Sequence, residues 1–287
     1  MSSDNFINNY NRLASFVDNS VECFINDQGQ LFDAMRYSLM SGGKRFRPVL
    51  TLAVAEMLNL NVEDVLPYSL GIECIHTASL IHDDLPALDN DALRRGKLTC
   101  HKVFGEAVAI LAADAFFGKA FEVILQCETI NPRIRSELCA LLSKTLVELC
   151  VGQALEFETG EVEVGEGTLS TENDNRLRRV DLKKTSALIS AACAGPALFL
   201  TEEKEHTVQA LIEFGNHLGL LFQITDDILD ACSEASDKPT YVNVFGLNKA
   251  QELALQEQDN ALKSLDKLNF KTWFLKEICS YVISRRD

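Results

Sequence analysis

Proline is scarce in this chain, with six residues in 287, and only fifteen glycines join them. No stretch rich in Gly, Ser or Pro marks a linker, and no repeat of 20–50 residues is visible. Alternating strand-like runs are few as well. These absences leave little room for an all-β or multi-domain chain, and one all-α domain over 1–287, a multi-helix bundle, is expected. Basic residues are outnumbered, 27 Lys and Arg against 42 Asp and Glu, for a net charge of −15. A chain of that sign repels nucleic acid and anionic membranes, so neither is expected as a partner. The nine cysteines are odd in number and scattered, without a CxxC. They read as reduced thiols of a cytoplasmic protein, not as a disulfide or zinc framework. A long hydrophobic run is missing too: "ALISAACAGPALFL" (187–200) is short and broken by Gly195-Pro196, so no membrane span is expected. The N-terminal "MSSDNFINNYNRLASF" carries neither a secretory nor an Arg-rich transit pattern.

Helical periodicity fills the space these absences leave. It runs through "LFDAMRYSLMSGGKRFRPVLTLAVAEML" (31–58), through 103–126 and through 207–230. The last two are apolar on most faces and need cover on every side, from the bundle or from a second copy, which favours a homodimer.

Two carboxylate clusters stand out. Residues 68–85, "YSLGIECIHTASLIHDDL", read as a helix that ends before Pro86. Asp83 and Asp84 then lie at its C-terminal end, where the helix dipole disfavours negative charge, so a compensating cation is expected. Asp89 follows in the loop and can fold back toward Asp83. Mg2+ suits such a set, because it takes a few carboxylates and fills its shell with water and phosphate oxygens; a solvated acidic loop is the plain alternative. In "QITDDILD", Asp226, Asp227 and Asp230 fall at i, i+1 and i+4, so 226 and 230 share a helical face. One such cluster is easily decoration, whereas two at the ends of buried-looking helices favour a metal–diphosphate site.

Basic groups complete the pattern. "SGGKRFRP" (41–48) sets Lys44, Arg45 and Arg47 behind a Gly42-Gly43 pair that permits close backbone approach. That chemistry suits a phosphate, although a basic helix cap would look the same. Arg94-Arg95 and Lys183-Lys184-Thr185 are further basic groups. His76 lies two helical turns before Asp83, on the same face, as a possible phosphate donor or an ordinary core histidine.

Taken together, "GGKRFRP" (42–48), "IHTASLIHDDLPALDNDALRRGK" (75–97), "GQALEF" (152–157), "KKTSALI" (183–189), "GLLFQITDDILD" (219–230) and "KPTY" (238–241) resemble the trans-isoprenyl diphosphate synthases, in order and approximate spacing. The six-residue offset from Asp83 to Asp89 is similar to the bacterial and plastid type. The resemblance implies an all-α bundle, usually homodimeric, around a deep apolar cavity. It implies that Asp83, Asp84 and Asp89 face Asp226, Asp227 and Asp230 and hold three Mg2+ on an allylic diphosphate, joined by Arg94. It further implies that Lys44, Arg47, His76 and Arg95 bind isopentenyl diphosphate. Lys184, Thr185 and Gln223 would lie near the reacting carbons, with Lys238 on the leaving diphosphate. Five residues before Asp83, where bacterial farnesyl synthases usually carry an aromatic, stands Ala78, followed by Ser79. That open floor, with Phe116 and Phe117 as a deeper stop, implies a geranylgeranyl product, with farnesyl the alternative.

The chain departs from the family pattern at Leu98 and Cys100 in "GKLTCH" (96–101), at Ala113, and in the short segment 231–238, "ACSEASDK". A class I terpene cyclase and a non-catalytic partner subunit are the rival readings. The first does not need the basic loop, and the second usually lacks one Asp cluster.

Overall fold

The computed structural model describes residues 3–159, 171–231 and 239–285. Among them are thirteen α-helices, a π-helical turn, a 3-10 turn and one pair of two-residue β-strands. The protein is all-α, and the chain divides into two compact units, Met1–Ala140 and Leu141–Asp287.

In the first unit, α1 (Ser3–Glu22), α2 (Gln30–Leu39), α3 (Phe46–Met57), α4 (Val62–Asp83), α5 (Cys100–Phe104) and α6 (Glu106–Leu125) pack together, with α4 against α3 and α6. α4 begins six residues earlier than its apolar run suggests. Asn61 caps it, its side-chain oxygen accepting the Glu63 N–H at 3.2 Å, and Glu63 and Asp64 in the first turn complement the dipole. From Val65 to Ile81 this helix is mostly buried, which explains an apolar pattern with little sidedness. The continuous patterns at 31–58 and 103–126 are each divided, because Gly42, Gly43 and Gly105 take positive φ (93°, 122° and 83°) and stop the helix. Two short strands, β1 (Leu93–Arg94) and β2 (Lys97–Leu98), pair antiparallel. Between them Arg95 and Gly96 have φ of 53° and 75°, the two left-handed residues of a type I′ hairpin turn.

The loop ahead of α3 is pinned by one buried side chain. Arg45, itself left-handed (φ 49°), reaches Asp18 Oδ1 at 2.8 Å, Glu73 Oε1 at 2.7 Å and the Leu39 carbonyl at 2.8 Å. The Tyr10 hydroxyl donates to the Lys44 carbonyl at 2.7 Å, so the basic loop is tied to α1, α2 and α4.

The second unit centres on α10 (Lys204–Asp230), which packs on α9 (Ala187–Ala194), α12 (Leu247–Leu265), α13 (Trp273–Ser284) and the π-helical turn Leu182–Ser186. The stretch 187–200 is α9 followed by the 3-10 turn Gly195–Phe199, and both are mostly buried. Among the described residues, the one helix with the length and hydropathy to cross a bilayer is Pro132–Phe157, within α7 (Pro132–Thr159). Several of its apolar residues are exposed: Val147, Val151 and Phe157. Glu148 and Glu156 on the same helix pair with Lys183 and Lys184.

Glu257 is the buried carboxylate that joins α8 (Thr171–Asp181), α10 and α12. It accepts from Arg178 Nη1 at 2.5 Å and pairs with His217 Nδ1 at 2.6 Å. Burial alone raises its pKa, but the His217 and Arg178 hydrogen bonds and charges outweigh that and hold it below the usual glutamate value. Glu257→Gln is therefore expected to cost about 2 kcal/mol of stability at neutral pH. Because the folded pKa is depressed, that difference from wild type is complete above the free glutamate pKa of about 4.3 and disappears as pH falls through the lower folded value. Urea unfolding of both proteins across pH 3 to 7 checks this.

Candidate active site

In the first unit the basic motif and the DD motif meet at an open pocket of about 450 Å3, lined by Arg45, Glu73, His76, Asp84, Arg94 and Arg95 among others. His76 is half-buried, and its pKa is held well below the ordinary histidine value by burial and by the charges of Arg47, Arg95, Arg94 and Arg45. Four guanidinium groups thus converge on a neutral imidazole, which offers one N–H. Arg95 reaches across from the hairpin turn to donate to the Gly42 carbonyl. A Cβ on Gly43 would stand 2.5 Å from its Nη1, so the glycine pair exists in this unit to admit a guanidinium onto the loop backbone. Burial lowers the Arg95 pKa, and its neighbours Arg45 and Arg94 lower it further, against the opposing charges of Glu73 and Asp84. This is a cationic site held together by rigid anchoring, and an anion relieves its repulsion.

The carboxylates differ from one another. Asp83 closes α4 and is half-exposed, whereas Asp84 is 3 % exposed and accepts from Arg94 Nε at 2.7 Å. Burial raises the Asp84 pKa while Arg94 pulls it down. The chain does fold back as expected, since the Asp89 N–H donates to the Asp83 carbonyl at 2.9 Å. Ala78 on α4 is fully buried, and the Ser79 hydroxyl bonds the His76 carbonyl at 2.9 Å. Phe116 on α6 is fully buried, and Phe117 stands with its ring 5.8 Å from that of His82.

The second unit gathers the other motifs. Thr185, in the π-helical turn, donates to Gln223 Oε1 at 3.0 Å, and Gln223 Nε2 donates to Asp227 Oδ1 at 3.0 Å. The Tyr241 N–H, at the start of α11 (Tyr241–Phe245), donates to Asp227 Oδ2 at 2.8 Å. A Cβ on Gly152 would lie 2.4 Å from the Lys184 backbone nitrogen, so "GQALEF" supplies the small residue that lets α7 touch the "KKT" turn. Lys184 itself is paired with Glu156. π-helical turns recur at functional sites because the extra residue re-aims the side chains that follow. Lys238 lies outside the described residues.

Burial lifts Asp227 to about 6 despite the Tyr241 and Gln223 hydrogen bonds, and Asp226 and Asp230 push it the same way. Asp181, buried beside it, is pushed up to about 8 by burial and by the Asp227 charge. Among the described residues, no three His, Cys, Asp or Glu side chains converge enough to hold a metal alone. The oxygen-only, mutually repelling carboxylates nonetheless fit a hard divalent ion such as Mg2+, which completes its shell with water and phosphate oxygens.

Comparison with known proteins decides the family. The sequence pattern of the Polyprenyl synthetase family matches residues 28–243. The chain belongs to the trans-isoprenyl diphosphate synthases. It is 39 % identical to the farnesyl diphosphate synthase of Micrococcus luteus over 275 residues, 90 % of each chain. To the chloroplastic geranylgeranyl pyrophosphate synthase 7 of Arabidopsis thaliana it is 36 % identical, over 90 % of this chain and 77 % of the relative. A crystal structure of a geranyltransferase from Legionella pneumophila superposes with a TM-score of 0.87 at 30 % identity, covering 100 % of this chain and 99 % of the other. The protein is thus a prenyltransferase with the helical fold of isoprenoid synthases.

Three groups of this synthase escaped sequence reasoning. Arg45 gives no signal beyond its place between Lys44 and Arg47, yet it is the anchor of the loop. Asp181 and Arg285 stand apart from the motifs and reach the second cluster only through the fold. Burial and the four arginine charges together keep His76 neutral, and a diphosphate bound among the arginines would offset the second of these. In proton NMR titrations His76 is therefore expected to titrate well below the ordinary histidine value in the free protein, and its pKa to move upward with inorganic diphosphate. An unmoved His76 would show that the anion binds elsewhere.

Proposed function

We propose that this synthase condenses isopentenyl diphosphate head-to-tail with dimethylallyl, geranyl and farnesyl diphosphates to give geranylgeranyl diphosphate, releasing diphosphate at each step. The observation that carries the reading is the convergence of Arg45, Arg47, Arg94 and Arg95 on neutral His76, beside the Asp83–Asp84 pair. Lys44, Arg47, His76 and Arg95 hold the isopentenyl diphosphate by charge and hydrogen bonding, and Arg94 joins the allylic diphosphate. Asp83, Asp84 and Asp89, with Asp226, Asp227 and Asp230, would hold three Mg2+ that neutralise the charge gathering on the departing diphosphate. The Thr185 hydroxyl, donating to Gln223, keeps its oxygen lone pairs available to the allylic cation. Lys184 lies beside Thr185 in the same turn, and Lys238 serves the leaving diphosphate. An apolar cavity excludes water, which would otherwise capture the cation as an alcohol. The whole chain, 1–287, acts as one polyprenyl synthase domain in the cytoplasm.

Product length rests on α4. Relatives named for farnesyl and for geranylgeranyl products match at similar identity, so the reading of product length rests on the small residue at 78. Purified protein with Mg2+, labelled isopentenyl diphosphate and each allylic primer is expected to yield a C20 diphosphate. Ala78→Tyr, five residues and so about 7.5 Å along the helix before Asp83, is expected to shift the main product to C15. A C15 product from the wild type overturns the length, and no elongation at all overturns the reaction.

A second copy of this chain is the proposed cover for Val147, Val151 and Phe157 on α7. Sedimentation velocity is expected to show a dimer that Val147→Asp dissociates, since a charge on an apolar interface is left without solvent. A wild-type monomer at micromolar concentration would refute this.

A further inference from the structure

The second carboxylate cluster already carries a cation. Arg285 follows the last turn of α13 with extended backbone, φ −56° and ψ 149°. Its Nη2 lies 2.8 Å from Asp226 Oδ1, and its Cζ stands 4.1 Å from the centroid of the Phe222 ring. The same Nη2 approaches the Phe222 carbonyl at 3.4 Å, and Nε donates to the Val282 carbonyl at 3.2 Å. Phe222 and Asp226 are one turn apart on α10, so a single planar group covers both. Only 8 % of the Arg285 side chain is exposed. Guanidinium stacked on an aromatic ring while paired with a carboxylate is a seated group, unlike a surface ion pair.

We infer that Arg285 is a positioning residue that occupies Asp226 until Mg2+ displaces it, so that the cluster is charge-compensated when empty. The inference rests on the proposed role of Asp226 as a metal ligand. Mg2+ and the guanidinium would compete for the Asp226 carboxylate, whose Oδ1 Arg285 already engages. A hydrated ion arriving alone gains one exposed and two crowded carboxylates and must unseat Arg285. An ion carried on a diphosphate adds phosphate oxygens to its shell, and the exchange becomes favourable. Arg285 thereby ties metal entry to the arrival of the diphosphate.

Calorimetric titration of Mg2+ into the full-length protein, with and without inorganic diphosphate, tests this. Arg285→Gln removes the competitor, and Mg2+ is expected to bind roughly 3- to 10-fold more tightly, the range implied by losing a partly buried ion pair and a cation–π contact. The gain should be larger without diphosphate than with it. Arg285→Lys keeps the charge but not the planar face and should fall between. A merely structural role predicts the opposite sign, weaker metal binding together with a lower melting temperature. Unchanged or weaker Mg2+ binding in the Gln variant overturns the inference; should that variant fail to fold, the same criterion applies to the Lys variant. If the wild type binds no Mg2+ even with diphosphate, the metal reading itself fails and this inference falls with it. Wild-type binding that the variants leave unchanged defeats the inference alone.

Discussion

Like charges held closer together than folding favours are the constraint from which the rest of this protein follows. Arg45, Arg47, Arg94 and Arg95 all press on His76. Asp226 and Asp230 press on Asp227, and Asp227 on Asp181. Neither arrangement stabilises an empty protein, and each persists because neighbouring groups fix it in place. Arg45 is fixed by Asp18, Glu73 and the Leu39 carbonyl, and Asp227 by the Tyr241 N–H and the Gln223 amide. The two kinds of repulsion have opposite sign and opposite remedies, an anion for one and cations for the other.

The fixing groups also divide the labour among cations. In the first unit, the one buried deepest, Arg45, is engaged by three protein acceptors and sets the loop. Arg94 is shared, since its partner Asp84 belongs to the DD motif. Arg95 is the most readily turned outward, because its acceptor is a neutral carbonyl. Such a gradient, from structural anchor to ligand-ready donor, spans one arginine of the loop ahead of α3 and two of the hairpin. It explains why exchanging Arg for Lys at these positions is not conservative: the forked donors of Arg45 serve three separate acceptors at once.

Much of this was legible in the sequence, and the boundary of legibility is physical. The helical class, both Asp clusters and the return of Asp89 toward Asp83 are written in local spacing and in motifs, whereas the Thr185–Gln223 hydrogen bond joins residues far apart in the chain and appears only in the fold. Helix limits were less readable. The apolar run at 68–85 hides the polar first turn at 62–64, which capping and not burial determines. The pattern at 103–126 runs unbroken through Gly105, whose positive φ separates α5 from α6. The partners of the site came least readily. Asp181, Glu156 and Arg285 are ordinary charged residues along the chain and become significant only through packing, as does Gly152, whose missing side chain leaves room for the Lys184 backbone.

The Arg95–Gly96 turn has a consequence for how a ligand gains its footing. Arg95 rests on Gly42 and Gly43 like a latch on a plate, with one N–H engaged by a peptide oxygen. An incoming phosphoryl oxygen can take over that N–H while the peptide oxygen returns to water, so no donor is stranded during the exchange. Replacing Gly43 by any residue with a side chain would push the latch open permanently, trading a guarded entrance for an unguarded one.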